Sequence, residues 1–214
     1  MATVLVVGAS RGIGLESVKR ALAAGHTVRA LARGAAGIDV EHASLEKIAG
    51  DALDAATVAK ALAGADAVLQ TLGATTGPQA VIWGTDLFSK ATRVLIDAMR
   101  AGGVKRLVTV TGLGAGDSRG HGGLFYDAIA FPLVLKRIYD DKDVQEQMIR
   151  ASGLEWTIVR PGLLTSGPAT GKARALTDPK DWRGGAVSRA DVADFIVREA
   201  FECRFVGKTP LLIQ

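Results

Sequence analysis

The run Val4-Leu5-Val6-Val7-Gly8-Ala9-Ser10-Arg11-Gly12-Ile13-Gly14 restricts the possible folds of this chain more than any other stretch. An apolar, β-branched segment breaks into a glycine-rich turn and then into residues with helical spacing. Strand, turn and helix in that order form a phosphate cradle. The turn lets a pyrophosphate approach the backbone, and the helix N-terminus offers unpaired N–H groups and a partial positive charge. The spacing is Gly8-x-x-x-Gly12-x-Gly14 rather than the general G-x-G-x-x-G. With a second strand pattern about twenty residues further on, the context predicts a dinucleotide site. The alternative is a turn that only packs helix against strand.

Apolar runs and amphipathic stretches alternate from there to the C-terminus. Strands are predicted at 3–7, 27–32, 48–50, 67–71, 106–111, 155–160 and 209–213. Helices are predicted at 12–24, 55–63, 86–101, 131–151 and 188–201. Gly25 and Gly102-Gly103 act as stop signals, and Ser188-Arg189-Ala190-Asp191 reads as a capping box with Asp in place of Glu. The alternation implies an α/β chain: a Rossmann-like, doubly wound parallel sheet with helices on both faces, in three layers. Residues 1–214 fit a single NAD(P)-binding domain. Two polar, glycine-rich stretches, at about 112–130 and 163–187, follow strands at the carboxyl edge of such a sheet. They read as substrate loops, or else as plain surface loops.

Charge and composition exclude several classes. There are 26 basic and 22 acidic side chains, for a net charge of +4, and the basic residues are scattered. No nucleic-acid partner is expected, while the mild positive balance favours an anionic ligand. The single cysteine, Cys203, excludes an intrachain disulfide and is expected to be a small buried hydrophobe. His26, His42 and His121 are too dispersed for a zinc site, so no metal is expected. With no long apolar run and no charged leader, no membrane partner is expected. The reading is a cytoplasmic protein, monomer or homodimer, acting on a small molecule.

The end of the second strand bears on the cofactor. An NAD site usually places Asp or Glu there to accept from the ribose 2′-OH. Here the strand ends Leu31-Ala32-Arg33. Arg33 can pair in bidentate fashion with a 2′-phosphate, and Arg11 can approach it from the glycine turn, which favours NADP(H). Otherwise Arg33 is a solvated loop residue. Asp51 can reach an adenine amine, with Ala52 against the ring, or can cap the next helix. Leu72 and Gly73, after the fourth strand, are placed at the adenosine ribose.

Gly8-Ala9-Ser10-Arg11-Gly12-Ile13-Gly14 resembles the cofactor turn of the short-chain dehydrogenase/reductase superfamily. Later stretches resemble its atypical branch, which includes NmrA-like proteins and the biliverdin-IXβ/flavin reductase group. They are Val28-Arg29-Ala30-Leu31-Ala32-Arg33, Gly50-Asp51, Lys105-Arg106-Leu107-Val108, Ser152-Gly153-Leu154-Glu155-Trp156-Thr157-Ile158-Val159-Arg160-Pro161-Gly162 and Val187-Ser188-Arg189-Ala190-Asp191-Val192-Ala193. The resemblance implies NADP(H) across the carboxyl edge of the sheet, with Pro161, Gly162 and Leu163 beside the nicotinamide.

The superfamily's usual catalytic set is a Tyr four residues before a Lys, with a Ser after the fifth strand. Lys142 occupies the lysine position, but the tyrosine position is Ile138. Tyr139 is three residues from Lys142, which turns its phenol by roughly 100° around the helix. Thr111 can replace the serine hydroxyl, or Gly112 can mark its absence. Thr111 and Lys142 are therefore the candidate catalytic residues. His121 and Tyr126 are spare candidates for substrate contact, and Trp83 and Trp182 for an aromatic pocket. The expected activity is NADPH-dependent reduction of a flavin, a quinone-like molecule or a carbonyl compound, mainly by positioning. The alternative is a non-catalytic NADP(H) sensor of NmrA type. An epimerase is a weaker third reading, since such relatives carry a larger sugar-nucleotide lobe.

Overall fold

The computed structural model describes residues 1–73, 84–122 and 136–214. In chain order the elements are β1 (Thr3–Val7), α1 (Gly12–Ala23), β2 (Thr27–Ala32), β3 (Leu45–Ala49), α2 (Ala55–Leu62), β4 (Ala67–Gln70), α3 (Leu87–Gly102), β5 (Arg106–Val110), α4 (Lys136–Arg150), β6 (Glu155–Pro161), β7 (Leu163–Thr165), β8 (Arg174–Leu176), β9 (Ala186–Ser188), α5 (Arg189–Glu202) and β10 (Leu211–Ile213). Eight strands form one sheet in the order β3-β2-β1-β4-β5-β6-β10-β8. The pairings from β3 to β10 are parallel, and β8 joins the edge antiparallel to β10. This is the Rossmann-like α/β fold expected from the alternation of elements.

The strand period of two feeds two cores. Val4 and Val6 of β1 point to one face and pack with Val18 and Ala21 of α1 and Val192 and Ile196 of α5. Leu5 and Val7 point to the other, where Val58 and Leu62 of α2, Leu95 and Met99 of α3 and Ile149 of α4 cover them. A parallel strand covered on both faces needs a continuous apolar run, which β1 has. Of the described helices, two therefore lie on one side of the sheet and three on the other. No helix among the described residues is long and apolar enough to cross a membrane.

Helix ends follow local chemistry in part. Gly103, at φ +72°, closes α3, with Val104 N–H donating to Met99 O at 3.0 Å. The start of α3 is capped from a distance: the Asp141 carboxylate of α4 accepts from the N–H of Phe88 at 2.8 Å and of Ser89 at 3.3 Å. Ser188 caps α5, accepting from Asp191 N–H at 3.0 Å. Asp191 does not complete the capping box. Its carboxylate accepts from Ser188 Oγ and from the backbone of Thr170 and Gly171, and so ties the 170–171 turn to α5. Burial raises the pKa of this carboxyl, but those hydrogen bonds outweigh it and hold it below its usual value.

Several expectations are corrected. β3 begins at Leu45, earlier than the predicted 48, because Glu46 and Lys47 interrupt the apolar pattern. Arg29 stands opposite Glu46 in the β2–β3 register, and their side chains pair at 2.9 Å. The segment read as one long loop, 163–187, contains β7, β8 and β9, three-residue strands too short to leave a periodic signal. Cys203, expected to be buried, is exposed: it ends α5 in the left-handed conformation at φ +53°, on the outside of the turn. The helix predicted at 131–151 is described from Lys136; 131–135 lie outside the described residues.

Candidate functional site

A cavity of about 1270 Å³ opens along the carboxyl ends of β3, β2, β1, β4 and β5. Five adjacent strands about 4.8 Å apart give a trough about 19 Å long, and its volume exceeds the roughly 300–1,000 Å³ typical of a drug-sized ligand's pocket. It straddles β1 and β4, where the strand order reverses, which is where ligands bind in open α/β sheets. Of the predicted site residues, Gly14, Pro161, Gly162 and Leu163 lie outside its wall, and the others line it.

The glycine turn forms the floor. A Cβ on Gly14 would stand 2.2 Å from the Gly8 carbonyl oxygen and 2.7 Å from Thr71 Oγ1, so Gly14 serves the close packing of α1 on β1 and β4 rather than the cavity wall. Gly12 differs. Its φ is +58°, and a Cβ there would meet nothing nearer than the Arg189 side chain at 3.9 Å. The open face of Gly12 leaves the start of α1 accessible from the cavity. Arg11, the N-cap, has extended backbone and makes no side-chain cap, and no acidic residue lies in the first turn. The cradle is therefore free to take an anion and fits a dinucleotide diphosphate.

Arg11, in the glycine turn after β1, and Arg33, after the neighbouring β2, are both exposed and line the trough. Neither has an ion-pair partner among the described residues. Gly34 packs toward Ser10, with a built Cβ 3.8 Å from Ser10 Cβ, and this brings the turn after β2 against the glycine turn. Asp51, after β3, lines one end of the trough. Its carboxylate accepts from Leu53 N–H at 3.0 Å, whereas the cap of α2 is Asp54, which accepts from Ala56 N–H at 3.2 Å.

Lys142 of α4 marks the other end. Its Nζ donates to the Thr111 carbonyl and lies 5.0 Å from the Phe88 ring centroid and 5.1 Å from that of Tyr139. Burial pushes its pKa down to about 8, against the opposing pull of the Glu146 and Asp141 charges. Thr111 Oγ1 donates to Glu146 at 2.8 Å, so the hydroxyl is directed into the protein and only the rest of the residue faces the trough. Ile138 is buried. Tyr139, despite its rotated position, reaches the end of β5: a Cβ on Gly112 would stand 2.5 Å from the phenol oxygen, so that oxygen fills the place a serine side chain at 112 would need.

Behind this end lies a charge cluster that the sequence alone did not single out. Arg160, fully buried at the end of β6, bonds to Glu146 through Nε at 3.0 Å and Nη2 at 2.5 Å, and its Nη1 is 2.7 Å from Asp117. Its guanidinium also lies 5.3 Å from the Trp182 ring. Burial alone would lower the Arg160 pKa, but the Glu146 and Asp117 carboxylates hold it above its ordinary value. One buried cation thus joins β6, α4, the loop after β5 and the segment between β8 and β9. The available signal was a charged residue inside an otherwise apolar strand just before Pro161.

A Cβ on Gly162 would strike the Gly185 carbonyl oxygen at 2.2 Å, so this glycine serves the close approach of two backbone segments. Leu163 is 72% exposed, and the next residue of β7, Leu164, faces the trough instead. Trp182 does not line the trough. It is buried with Leu113, Leu211 and Ile213, and its Nε1 donates to Leu176 O at 3.0 Å. His121 packs edge-on against Trp182, away from the trough. Trp83 and Tyr126 lie outside the described residues. Arg189 lines the cavity and was absent from the predicted site.

The sequence from residue 8 to residue 202 matches a protein family described as NAD(P)H-binding. It is 31% identical over 181 residues to an uncharacterized sugar epimerase, YhfK, of Bacillus subtilis, covering 80% of this chain and 75% of that one. A solved structure of ChuY, an anaerobilin reductase from Escherichia coli O157:H7, aligns with a TM-score of 0.77 at 30% identity, over 99% of this chain and 96% of that one. A short-chain dehydrogenase/reductase from Veillonella parvula in complex with NADP aligns with a TM-score of 0.82 over 100% of this chain and 94% of that one. At 15% identity it speaks to the fold alone.

Proposed function

The chain belongs to the NAD(P)H-binding family, in the atypical short-chain dehydrogenase/reductase branch that resembles the biliverdin reductases, and from that premise we propose that it is an NADPH-dependent reductase of a small organic acceptor. The observation that carries this reading is the polarity of the trough: two arginines without carboxylate partners among the described residues at the cradle and the neighbouring β2 end, and one lysine at the β5 end. Arg11 and Arg33 hold the 2′-phosphate. Asp51 and Ala52 flank adenine, Leu72 and Gly73 the adenosine ribose, and the Gly8–Gly12 turn the diphosphate. When bound, the nicotinamide supplies a hydride at C4.

The chain's own groups position the acceptor and exclude water. Lys142 is charged at neutral pH and is the one titratable side chain at its end of the cavity wall among the described residues. Its ammonium holds a ribose hydroxyl or polarises an acceptor oxygen. Thr111 acts through its backbone, fixing Lys142, while its hydroxyl is spent on Glu146. With so little acid–base machinery among the described residues, an acceptor that needs little protonation by the protein suits the site: a flavin, a quinone-like molecule, a carbonyl compound or a bilin of the kind ChuY's name indicates.

The test is NADPH oxidation in the presence of flavins, quinones, aldehydes, biliverdin and anaerobilin, alongside direct measurement of cofactor binding. Turnover with any one acceptor supports the reductase. Tight NADPH binding with no turnover favours the second reading, a non-catalytic NADP(H) sensor. The burial of Ile138 at the usual tyrosine position and the inward-facing Thr111 hydroxyl favour that alternative.

A further inference from the structure

Arg189 is the first residue of α5, far in sequence from the glycine turn, yet its side chain lies over Gly12 at the start of α1. Its Cδ and Nε are each 3.9 Å from the place a Gly12 Cβ would take. It is half-buried and faces the trough. Its Nη1 makes a long hydrogen bond to Ser166 Oγ at 3.4 Å, and no carboxylate pairs with it among the described residues.

A cation placed this way is electrostatically uncomfortable. The N-terminus of a helix carries a partial positive charge, which repels cations near its first turn. Arg189 sits at two such ends at once, its own and that of α1, with Arg11 as the N-cap of the latter. At its own end, Asp191 compensates in part. At the α1 end nothing does, because the first turn holds no acidic residue. Among the described residues, three guanidinium groups and Lys142 line the trough against one carboxylate, Asp51. A bound diphosphate would turn this repulsion into attraction.

We propose that Arg189 is an anion-binding arm that contacts the dinucleotide's diphosphate from the side opposite the glycine turn. The inference rests on the trough holding a nicotinamide dinucleotide. It assigns the charges to two separate tasks: Arg11 and Arg33 read the 2′-phosphate that distinguishes NADP(H), and Arg189 grips the diphosphate common to both cofactors. Through Ser166 the same side chain touches the segment after β7, so the arm reaches the diphosphate across the lip of the substrate side.

The test is calorimetric titration of the full chain with NADP⁺, NAD⁺ and ADP-ribose, comparing wild type with Arg189→Ala, Arg189→Gln and Arg189→Lys. The expected result is a loss of about tenfold for all three nucleotides in the Ala and Gln variants, with the ratio of NADP⁺ to NAD⁺ affinity unchanged and partial recovery in the Lys variant. The dependence of affinity on salt becomes shallower in the Ala variant. The unliganded thermal midpoints report whether each variant is folded, and the Gln variant keeps the length of the side chain if the Ala variant is not. Unchanged affinities in a folded variant overturn the inference, as does a loss confined to NADP⁺, which would make Arg189 a third reader of the 2′-phosphate. If wild type binds none of the three nucleotides, the dinucleotide reading itself fails; if wild type binds and the variants bind equally well, only the role of Arg189 fails.

Discussion

Replacing Arg33 by alanine tests the cofactor preference at one atom group. Arg33 follows β2 at the open end of the trough, exposed and without an ion-pair partner among the described residues, so the truncation strands no buried carboxylate and leaves no cavity in the core. The loss is that of a charge-assisted hydrogen bond, about 1.5–3 kcal/mol. Solvent around an exposed guanidinium screens the interaction, which places the effect in the lower half of that range. At about 1.4 kcal/mol per tenfold change, this corresponds to a rise of about 10–40-fold in the Kd for NADPH. NADH lacks the 2′-phosphate, so its Kd is expected to change less than about twofold. Fluorescence titration of both cofactors against wild type and variant supplies the four constants, and unchanged unfolding midpoints confirm that stability is not involved. Equal losses for NADPH and NADH, or no loss for either, would refute the assignment of Arg33 to the phosphate.

Substitutions at three other positions have expected outcomes. The Lys142 amine, whose pKa burial lowers from 10.5 to about 8, loses its charge as pH rises through about 8; kcat/KM, which reports groups on the free enzyme, is expected to fall above that pH, and Lys142→Met is expected to lack this limb. The same shift has a stability signature of opposite sense: the unfolded chain keeps the proton up to about 10.5, so between pH about 8 and 10.5 wild type gains stability relative to Lys142→Met, as urea midpoints at several pH values would show. Gly14→Ala places a methyl 2.2 Å from the Gly8 carbonyl, and backbone cannot swing aside as a side chain would; a loss of about 1–3 kcal/mol by denaturant unfolding is expected, and a neutral effect would show that α1 does not sit this close to β1. Glu199→Ala leaves Arg106 buried without its 2.7 Å partner and frees the N–H groups of Arg204 and Phe205, so a loss of about 3–5 kcal/mol is expected, and one below about 1 kcal/mol would contradict the burial of the pair.

The central sheet was legible because its strands announce themselves locally. Strands covered on both faces are short apolar runs, and each of β1, β2, β4, β5 and β6 reads that way. The amphipathic helices between them and the glycine stops at 25 and 102–103 made the order of elements readable as well. β3, β7, β8 and β9 were misread or missed for the opposite reason. They are short or edge segments whose residues are polar on one or both sides, and they become strands only because a partner backbone is already in place.

The candidate site divides along the same line. Its proposed phosphate cradle and the presence of Arg33 rather than an acidic residue after β2 belong to contiguous residues, so both could be read from the amino-acid order alone. The side chains that complete the trough are not contiguous with it. Arg189 comes over Gly12 only because α5 packs beside α1 on one face of the sheet. The phenol of Tyr139 reaches Gly112, and Glu146 draws the Thr111 hydroxyl inward, only because α4 lies against β5 and β6. Arg160 gathers Glu146, Asp117 and Trp182 from three separate stretches, and its burial is tolerable only once those partners surround it. Local order determines which backbone can hold a phosphate. The packing of distant elements determines which charges meet there, because an electrostatic contact depends on distance in space, and a side chain 177 residues away along the chain comes within 4 Å of the place a Gly12 Cβ would take once the sheet has formed.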